Sequence, residues 1–259
     1  MKKLLITLCI LAIIPVACKK APAAKNILVV LAHPDDEDAL GPLLVKYGKT
    51  GKVWLVIATD GRLGVKPGYP VGDSLVLIRQ EESRCRCRKF GIEAPVFLGF
   101  PDGFDTRNGV GAYMDMSEEL KKKLTGKINE LKPDLIITFG PDGDTGHSDH
   151  RMISNMTTEI LLREGWVEKI PLYYLGWTPK DDEKFKLIGG LNTVDSNYLN
   201  VSIHYTQEEE NTALEALFCN KSQLTEKEMQ EWKEVELKDS GNTLRFRQLT
   251  VPVGKKTDF

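Results

Sequence analysis

The chain has 259 residues, with 35 Lys and Arg against 37 Asp and Glu, so its formal net charge is −2. With 41% hydrophobic and 28% charged residues, the composition is that of a folded globular protein and excludes a disordered chain. The slightly acidic balance provides no basic field for binding phosphates, which excludes a general nucleic-acid binder.

Residues 1–20 have the layout of an export signal. Two lysines precede an apolar run, 4–17, that is shorter than the roughly 20 residues of a membrane-spanning helix. The segment 15–18 (PVAC) resembles a loose bacterial lipobox, in which Cys18 would carry a lipid and tether the protein to a membrane. Simple cleavage near 21–24 is the alternative. Either route predicts an exported protein of the bacterial cell envelope or periplasm.

Beyond a short linker, apolar runs alternate with amphipathic stretches of helix length. The runs are short, rich in β-branched and aromatic residues and apolar on both faces, which indicates strands of a parallel sheet covered on both sides. The predicted strands are Asn26–Ala32, Val53–Thr59, Pro95–Phe100, Asp134–Phe139 and Pro171–Trp177. The predicted helices between them span 37–48, 73–90, 115–131 and 149–164.

This alternation predicts an α/β fold, with a Rossmann-like doubly wound, mostly parallel sheet and helices on both faces. We expect residues 26–259 to form one domain. The C-terminal part predicts a strand near 198–205, one or two helices in 207–233 and an edge strand in 243–253. No GxGxxG follows the first strand, which argues against a dinucleotide site.

Three cysteines follow the N-terminal segment, Cys85, Cys87 and Cys219. Their odd number suggests no disulfide framework, and no CxxC spacing indicates a zinc finger. On a helix, Cys85 and Cys87 would point apart because they are two residues apart. We therefore expect these cysteines to be small core or surface residues.

The placement of the four histidines is the strongest indication of function. His33 follows the first strand within the sequence AHPDDE, and His147 and His150 follow the fourth strand within GHSDH. Ligands of doubly wound sheets bind beyond the carboxyl ends of the strands, so both clusters are expected at one site. His204 lies in an apolar strand and is expected to be a packed or surface residue.

Imidazole and carboxylate groups in this arrangement suit a metal ion. A catalytic zinc site keeps three protein ligands and one open position. His33 and Asp36 could supply two ligands from one turn, and either histidine of the second cluster could supply the third. Asp35 lies beside them, where a general base would stand. Zinc is preferred, but Fe²⁺ or another divalent metal would also fit such ligands.

The two clusters resemble those of the PIG-L/LmbE-like deacetylase family, which typically carries AHPDDE after its first strand and GHPDH later. Ser148 replaces the proline of the second motif. Four weaker similarities extend the resemblance, so that it spans about residues 26–223. These are 59–61 (TDG), Arg79 with Glu82, 98–103 (LGFPDG) and 222–223 (SQ).

The resemblance implies a Rossmann-like fold and a zinc-dependent N-deacetylase, a hydrolase that removes an acetyl group, usually from an N-acetylglucosamine moiety. By position, the metal ligands would be His33, Asp36 and His150, and the catalytic residues Asp35, His147 and Asp149. Asp35 would be the general base. His147 would face the developing oxyanion, and Asp149 would fix the tautomer of His147 and favour its charged form.

Arg79, Asp102 and Arg62 are the candidate substrate contacts. Arg62 stands where the family often has an acidic residue. Trp166 and Trp177 could stack on a sugar, although core packing is the favoured interpretation. The expected partner is a small-molecule or glycan substrate. Two alternatives remain, an amidase acting on another carboxamide and a non-catalytic lipoprotein that binds glycans.

Overall fold

The computed structural model describes residues 25–104, 109–186, 190–238, 241–252 and 254–257. The predicted export signal and Cys18 lie outside these residues and stay predictions. Within the described ranges, no helix combines the length and the apolar character needed to cross a membrane.

Seven strands of the described chain form a single sheet in the order β3-β2-β1-β4-β5-β7-β6. The strands are β1 (Asn26–Leu31), β2 (Lys52–Thr59), β3 (Val96–Phe100), β4 (Leu135–Phe139), β5 (Leu172–Leu175), β6 (Val201–His204) and β7 (Thr243–Gln248). The first five are parallel, whereas β7 runs antiparallel to both β5 and β6. The predicted mostly parallel sheet is confirmed.

The helices connect the strands in the predicted order. They are α1 (Gly41–Gly48), α2 (Asp73–Phe90), α3 (Val110–Leu131), α4 (Ser148–Arg163), α5 (Pro179–Phe185), α6 (Gln207–Leu217) and α7 (Glu226–Glu236), with short 3₁₀ helices at Asp36–Leu40 and Ser196–Tyr198. α1, α2 and α6 pack together, and α3 packs on α4. Right-handed crossovers place α1 and α2 on one face and α3 and α4 on the other, because the strand order reverses at β1.

The predicted edge strand is wrong in its position. β7 lies between β5 and β6, and β6 forms the edge. In β7 the buried residues Leu244 and Phe246 alternate with partly exposed ones. That alternation indicates one buried face but does not tell an edge strand from an inner one, so the sequence could not decide between them.

The reversal of strand order at β1 creates the crevice that holds the site. β1 is buried almost completely between β2 and β4. Two buried threonines tie the strand ends together, since Thr59 Oγ1 donates to the Ala32 carbonyl (2.9 Å) and Thr138 Oγ1 to the Val30 carbonyl (2.8 Å). The segments that follow β1 and β4 are therefore held side by side.

A disulfide joins Cys85 of α2 to Cys219, which follows α6. The prediction of no disulfide is therefore wrong. The odd count arises because Cys87 stays a free thiol and is buried in the core. Cys85 and Cys87 do point apart on the helix, as expected, but Cys85 points at a partner 134 residues away.

Candidate metal centre and active site

The first cluster is a tight turn at the end of β1. The Asp36 carboxylate accepts hydrogen bonds from the backbone N–H groups of Ala32 (3.1 Å) and His33 (2.6 Å). Asp35 has a φ of 107°, a left-handed conformation that a non-glycine residue rarely adopts. A strained backbone persists only where the surrounding structure holds it in place, and such positions cluster at functional sites.

Asp36, His33 and His150 converge at this turn. His150 Nε2 lies 3.1 Å from Asp36 Oδ1 and 3.3 Å from His33 Nδ1, and His33 Nδ1 lies 3.5 Å from Asp36 Oδ2. The His150 ring stacks flat on Phe139, the last residue of β4, with 4.0 Å between ring centroids. Each ligand candidate is thus fixed by the end of a strand.

The outward nitrogens of both histidines have partners that set their tautomers. His33 Nε2 lies 3.2 Å from the Asp149 carboxylate, and His150 Nδ1 lies 3.1 Å from the Gly143 carbonyl. In the neutral rings these acceptors take the N–H groups, so His33 Nδ1 and His150 Nε2 carry the lone pairs, and the two lone pairs face each other. Carboxylates and carbonyls in this position are the usual outer partners of metal-binding histidines.

The donor set fits a tetrahedral zinc ion. Two nitrogens bound to one zinc at about 2.0–2.1 Å lie about 3.3–3.4 Å apart, and the two histidine nitrogens are 3.3 Å apart. Burial lowers the pKa of His33 and His150, but the neighbouring carboxylates together outweigh burial, Asp36 with Asp149 at His33 and Asp36 with Asp144 at His150, so both pKa values are raised. Protons therefore compete with a cation for these nitrogens.

Two further groupings of ligand atoms lie within 4.8 Å of one another, His33 with His147 and His150, and His33 with Asp102 and Asp149. In the second, both carboxylate oxygens of Asp149 and of Asp102 accept backbone hydrogen bonds, whereas those of Asp36 fall on Oδ2 alone. In the first, His147 is the exposed residue before α4 and stays open to solvent. We favour His33, Asp36 and His150 as the ligand set because Asp36 touches both other members directly.

His147 caps the N-terminus of α4. Its Nδ1 accepts the backbone N–H of Asp149 (3.1 Å), which leaves Nε2–H as a donor in the neutral ring. Burial, followed by the neighbouring His33 and His150, lowers the pKa of His147, and the charge of Asp149 acts in the opposite direction without reversing the shift. Asp149 acts on the tautomer of His147 through its backbone N–H, because its carboxylate lies on His33.

Asp149 is fully buried and held by backbone donors. Its carboxylate accepts from the N–H groups of Gly103 (2.9 Å) and Phe104 (2.8 Å) in addition to His33. Burial opposes ionisation, but the hydrogen bonds from His33 and Gly103 outweigh burial and hold the pKa of Asp149 at about 2. A permanent carboxylate therefore stands behind His33.

Asp35 lies beside the ligand set with its side chain 25% exposed. One carboxylate oxygen is 3.1 Å from the Arg79 guanidinium. Burial raises the pKa of Asp35 to about 6, against the Arg79 cation, which lowers it. A carboxylate with a pKa in this range can take up and release a proton near neutral pH.

Arg79 is buried, and its guanidinium is bound by other groups of the chain. It donates to the carbonyls of Gly61 (2.8 Å), Gly64 (2.9 Å) and Pro34 besides pairing with Asp35. This geometry supports a positioning role for Arg79 in place of the predicted substrate contact.

Asp102 and Arg62 lie on the loops after β3 and β2. The Asp102 carboxylate accepts from the backbone N–H groups of Gly61 (2.8 Å) and Leu63 (3.0 Å), which ties the two loops together. Arg62 is partly exposed, and its guanidinium contacts the Asp60 carboxylate at 2.6 Å. A carboxylate oxygen of Asp102 lies within 4.8 Å of a ring nitrogen of His33. The substrate contacts of Asp102 and Arg62 stay predictions.

A buried ionic network under the first cluster was missed by the sequence reasoning. The Glu37 carboxylate accepts from the backbone N–H of Asp35 (2.9 Å) and from Arg86 Nε (2.7 Å). Arg86 also lies 3.7 Å from Asp38, to which Asn220 donates a hydrogen bond. The charges of 36–38 resemble ordinary helix N-terminal charges, and nothing local identifies Arg86 as their partner.

Asp144 and Trp177 were also missed as members of one arrangement. Trp177 Nε1 donates to the Asp144 carboxylate, which lies 3.9 Å from His150 Nδ1. A carboxylate in the loop after β4 was the available signal for Asp144.

Trp166 packs against the core, whereas Trp177 also lines a cavity beside the site. His204 is an exposed residue bonded to Thr243, as its strand position predicted.

A cavity of about 320 Å³ opens from the ligand set toward the C-terminal helices. Its wall includes Asp35, Asp36 and His150. Farther along, the wall is mainly apolar and aromatic, formed by Trp177, Phe185, Leu191, Leu214, Leu217 and Trp232. We call this space the apolar chamber.

Comparison with known proteins supports the arrangement. The model of the family described as PIG-L, GlcNAc-PI de-N-acetylase, matches residues 28–161, which is more than half of the 259-residue chain and includes both clusters. That match ends at α4, so it covers the ligand set but not the C-terminal wall of the apolar chamber.

Curated relatives are named 1D-myo-inositol 2-acetamido-2-deoxy-alpha-D-glucopyranoside deacetylase. The protein from Mycobacteroides abscessus is 29% identical over 160 residues, covering 55% of this chain and 57% of that protein. The protein from Mycolicibacterium gilvum is 26% identical over 195 residues, covering 68% and 67%. The chain spans about half the length of the curated relatives first found to match it.

Solved structures share the fold at low sequence identity. N,N'-diacetylchitobiose deacetylase from Pyrococcus horikoshii gives a TM-score of 0.61 at 21% identity, over 86% of this chain and 83% of that one. The zinc-inhibited form of a teicoplanin deacetylase gives a TM-score of 0.62 at 16% identity, over 86% of this chain and 97% of that one. A 4-carboxy-2-hydroxymuconate hydratase from Pseudomonas putida KT2440 gives a TM-score of 0.59 at 14% identity, over 90% of this chain and 99% of that one. The fold thus carries more than one reaction, and the site residues must decide the chemistry.

Proposed function

This chain belongs to the PIG-L family of GlcNAc-PI de-N-acetylases, and we propose that it is a metal-dependent hydrolase that removes an N-acetyl group from an N-acetylglucosamine-type sugar or glycoconjugate. One observation carries the proposal. The facing lone pairs of His33 Nδ1 and His150 Nε2 meet the Asp36 carboxylate beside a second carboxylate, Asp35, whose pKa is about 6. Metal-dependent hydrolysis of an amide uses such a cation site with a base next to it.

His33, Asp36 and His150 would hold the metal, for which zinc is the preferred ion. When bound, a divalent cation supplies a Lewis acid that polarises the carbonyl and makes water more acidic. The outer partners of the ligands, Asp149 and the Gly143 carbonyl, keep both imidazoles in the orientation that this requires. Fe²⁺ or another divalent ion would suit the same donors.

Asp35 would act as the general base. It takes a proton from the water that attacks the carbonyl carbon, so that the new C–O bond forms as the proton moves to the carboxylate. When the C–N bond breaks, the protonated Asp35 returns the proton to the leaving amine nitrogen. The products are then acetate and the free amino sugar, and the base is restored.

His147 would stabilise the charge that develops on the carbonyl oxygen. Its Nε2–H is the free donor, because Nδ1 accepts from the backbone of Asp149. A neutral imidazole in an exposed position can donate this hydrogen bond without giving up its proton. Arg62 and Asp102, on the loops after β2 and β3, would contact the hydroxyls of the sugar.

Acetate release from N-acetylglucosamine substrates by Asp35→Asn tests the proposal. We expect activity to fall by about 10²–10⁴ with bound metal retained, because the substitution keeps the shape of the side chain and removes the base. Asp115→Asn, an exposed substitution on α3, is the matched control and should behave as wild type.

Three results would contradict the proposal. Full acetate release by Asp35→Asn would remove Asp35 from the mechanism. Turnover restricted to other carboxamides would favour the amidase alternative. Binding of N-acetyl sugars without any turnover in the metal-loaded protein would favour the glycan-binding alternative.

We also propose that the protein is exported, with Cys18 as the lipid-carrying residue. The disulfide between Cys85 and Cys219 supports this, because disulfides persist mainly in oxidising compartments. Fractionation of a bacterial host that expresses the full chain should place it in the membrane fraction with a lipid on Cys18. Cys18→Ser should release it from that fraction. Recovery of wild-type protein in the cytoplasm with free thiols at both positions would contradict export.

A further inference from the structure

We propose that the apolar chamber binds the acyl chain of the substrate, so that the enzyme removes acetyl groups from amino sugars but prefers N-acyl groups longer than acetyl. This inference rests on the proposed hydrolase function and names the substrate class of that site. Three features of the chamber support this assignment, namely its apolar lining, its position against the ligand set and the location of the candidate sugar contacts outside it.

The chamber is lined by a row of aromatic rings. The centroids of Trp177 and Phe185 are 6.0 Å apart, and those of Phe185 and Trp232 are 6.4 Å apart. Leu214 and Leu217 of α6 add aliphatic surface to the same wall. A row of this kind matches a hydrocarbon chain, because binding sites for apolar groups are built mainly from such side chains.

The inner end of the row lies at the ligand set. Trp177 donates to Asp144, which lies 3.9 Å from His150, and the chamber is lined by Asp36 and His150 themselves. A chain attached to the reacting carbonyl carbon would therefore enter the chamber directly, without a turn through solvent.

The chamber wall also carries polar side chains, among them Thr145, Asn220 and Gln223, but the two candidate sugar contacts lie outside it. Among the described residues that line the chamber, none comes from the loops after β2 and β3. Those loops carry Arg62 and Asp102, the candidate partners of the hydroxyls. An amide carbonyl carbon has two substituents, the nitrogen of the sugar and the acyl chain. If the sugar lies against the polar loops, the acyl chain faces the chamber.

Most of the charge named on the chamber wall has a partner. Lys184 contacts Glu236 between α5 and α7. Asn220 donates to Asp38 Oδ2, whereas Asp38 Oδ1 has no hydrogen-bond partner among the described contacts and lies 3.7 Å from Arg86. The volume of about 320 Å³ is that of a small ligand site and far exceeds a single methyl group. Filling it with methylenes would remove apolar surface from water on both partners.

The experiment compares glucosamines carrying acetyl, butanoyl, hexanoyl and octanoyl groups, with release of the free amine as the readout. We expect kcat/KM to rise about three- to fourfold for each methylene buried in the chamber. Leu214→Trp, which fills the chamber, should bring the ratio of hexanoyl to acetyl activity down toward one. Leu162→Trp adds the same ring at a half-exposed position of α4 and should leave that ratio as in wild type.

Each outcome has a distinct meaning. A wild-type ratio near or below one would overturn the chamber as an acyl site, while acetate release would still support the hydrolase function. No turnover of any member would contradict the hydrolase function itself. A further arm of the experiment uses octyl glycosides of N-acetylglucosamine. If the octyl group raises kcat/KM and Leu214→Trp abolishes that rise, the chamber binds the aglycone, which would overturn the acyl assignment. If Leu214→Trp fails to fold, Phe185→Ala should lower the hexanoyl ratio in its place.

Discussion

The two clusters that build the site are held in different ways. The first, residues 32–37, depends on side chains from a distant helix, since Arg79 and Arg86 of α2 hold Asp35 and Glu37. The second, residues 146–150, depends on backbone groups, since its Asp149 and His150 are fixed by amides and a carbonyl of neighbouring loops.

This difference indicates where the site is vulnerable. Support from a side chain is lost with one substitution and leaves a buried charge without its partner. Support from the backbone persists through substitutions of neighbouring side chains, because every residue other than proline carries the same donor and acceptor. Substitutions on α2 should therefore damage stability, whereas substitutions in the second cluster should act mainly on metal affinity.

The largest effect is expected for Arg86→Met. Arg86 and Glu37 are both fully buried, and their ion pair spans 2.7 Å. Removing the cation leaves Glu37 charged and unpaired, which we expect to lower the free energy of unfolding by about 3–5 kcal/mol. Urea denaturation measures the change. Arg88→Met, which breaks an exposed ion pair with Glu81 on the same helix, should cost about 0–1 kcal/mol. Equal costs for the two variants would show that burial of the network is unimportant.

An intermediate effect is expected for Asp149→Asn. The amide keeps an oxygen for one of the two backbone donors, Gly103 and Phe104, and removes the negative charge behind His33. We expect metal affinity to fall about 10- to 100-fold, with a loss of about 1–3 kcal/mol in the free energy of unfolding because one buried N–H loses its acceptor. Competition with a chelator measures the affinity, and Asp115→Asn provides an exposed control. An unchanged affinity would remove Asp149 from the support of the metal centre.

The smallest effect is expected in the pH profile of Arg79→Met. Burial raises the pKa of Asp35 to about 6, and the Arg79 cation opposes this rise. The base must be ionised, so kcat/KM should fall as the pH drops through the pKa of Asp35. A bound cation also favours the carboxylate form, so this fall should occur at or below about pH 6. Losing Arg79 should move that acid limb to higher pH, whereas Arg79→Lys should keep it lower. A limb that stays in place, or moves to lower pH, in the Met variant would contradict the role of Arg79.

Local patterns predicted the fold well because each parallel strand is a buried apolar run between helical stretches. They also located both clusters, since the residues after β1 and β4 must meet where the strand order reverses. Long-range partners escaped prediction. Arg86 lies 49 residues from Glu37, Cys85 lies 134 residues from Cys219, and the Asp149 carboxylate reaches His33 across the crevice. No spacing within the sequence encodes such pairings, and only the packing of α2 and α4 on the sheet creates them.

The most direct test of the account is the metal content of the purified protein together with its acetate release. We expect about one zinc or iron ion per chain in wild type, and loss of both metal and activity in His150→Ala. His204→Ala, which removes an exposed imidazole of β6 that bonds to the Thr243 hydroxyl, should keep both. Absence of metal from wild type after reconstitution, or full metal content in His150→Ala, would contradict the metal centre described above.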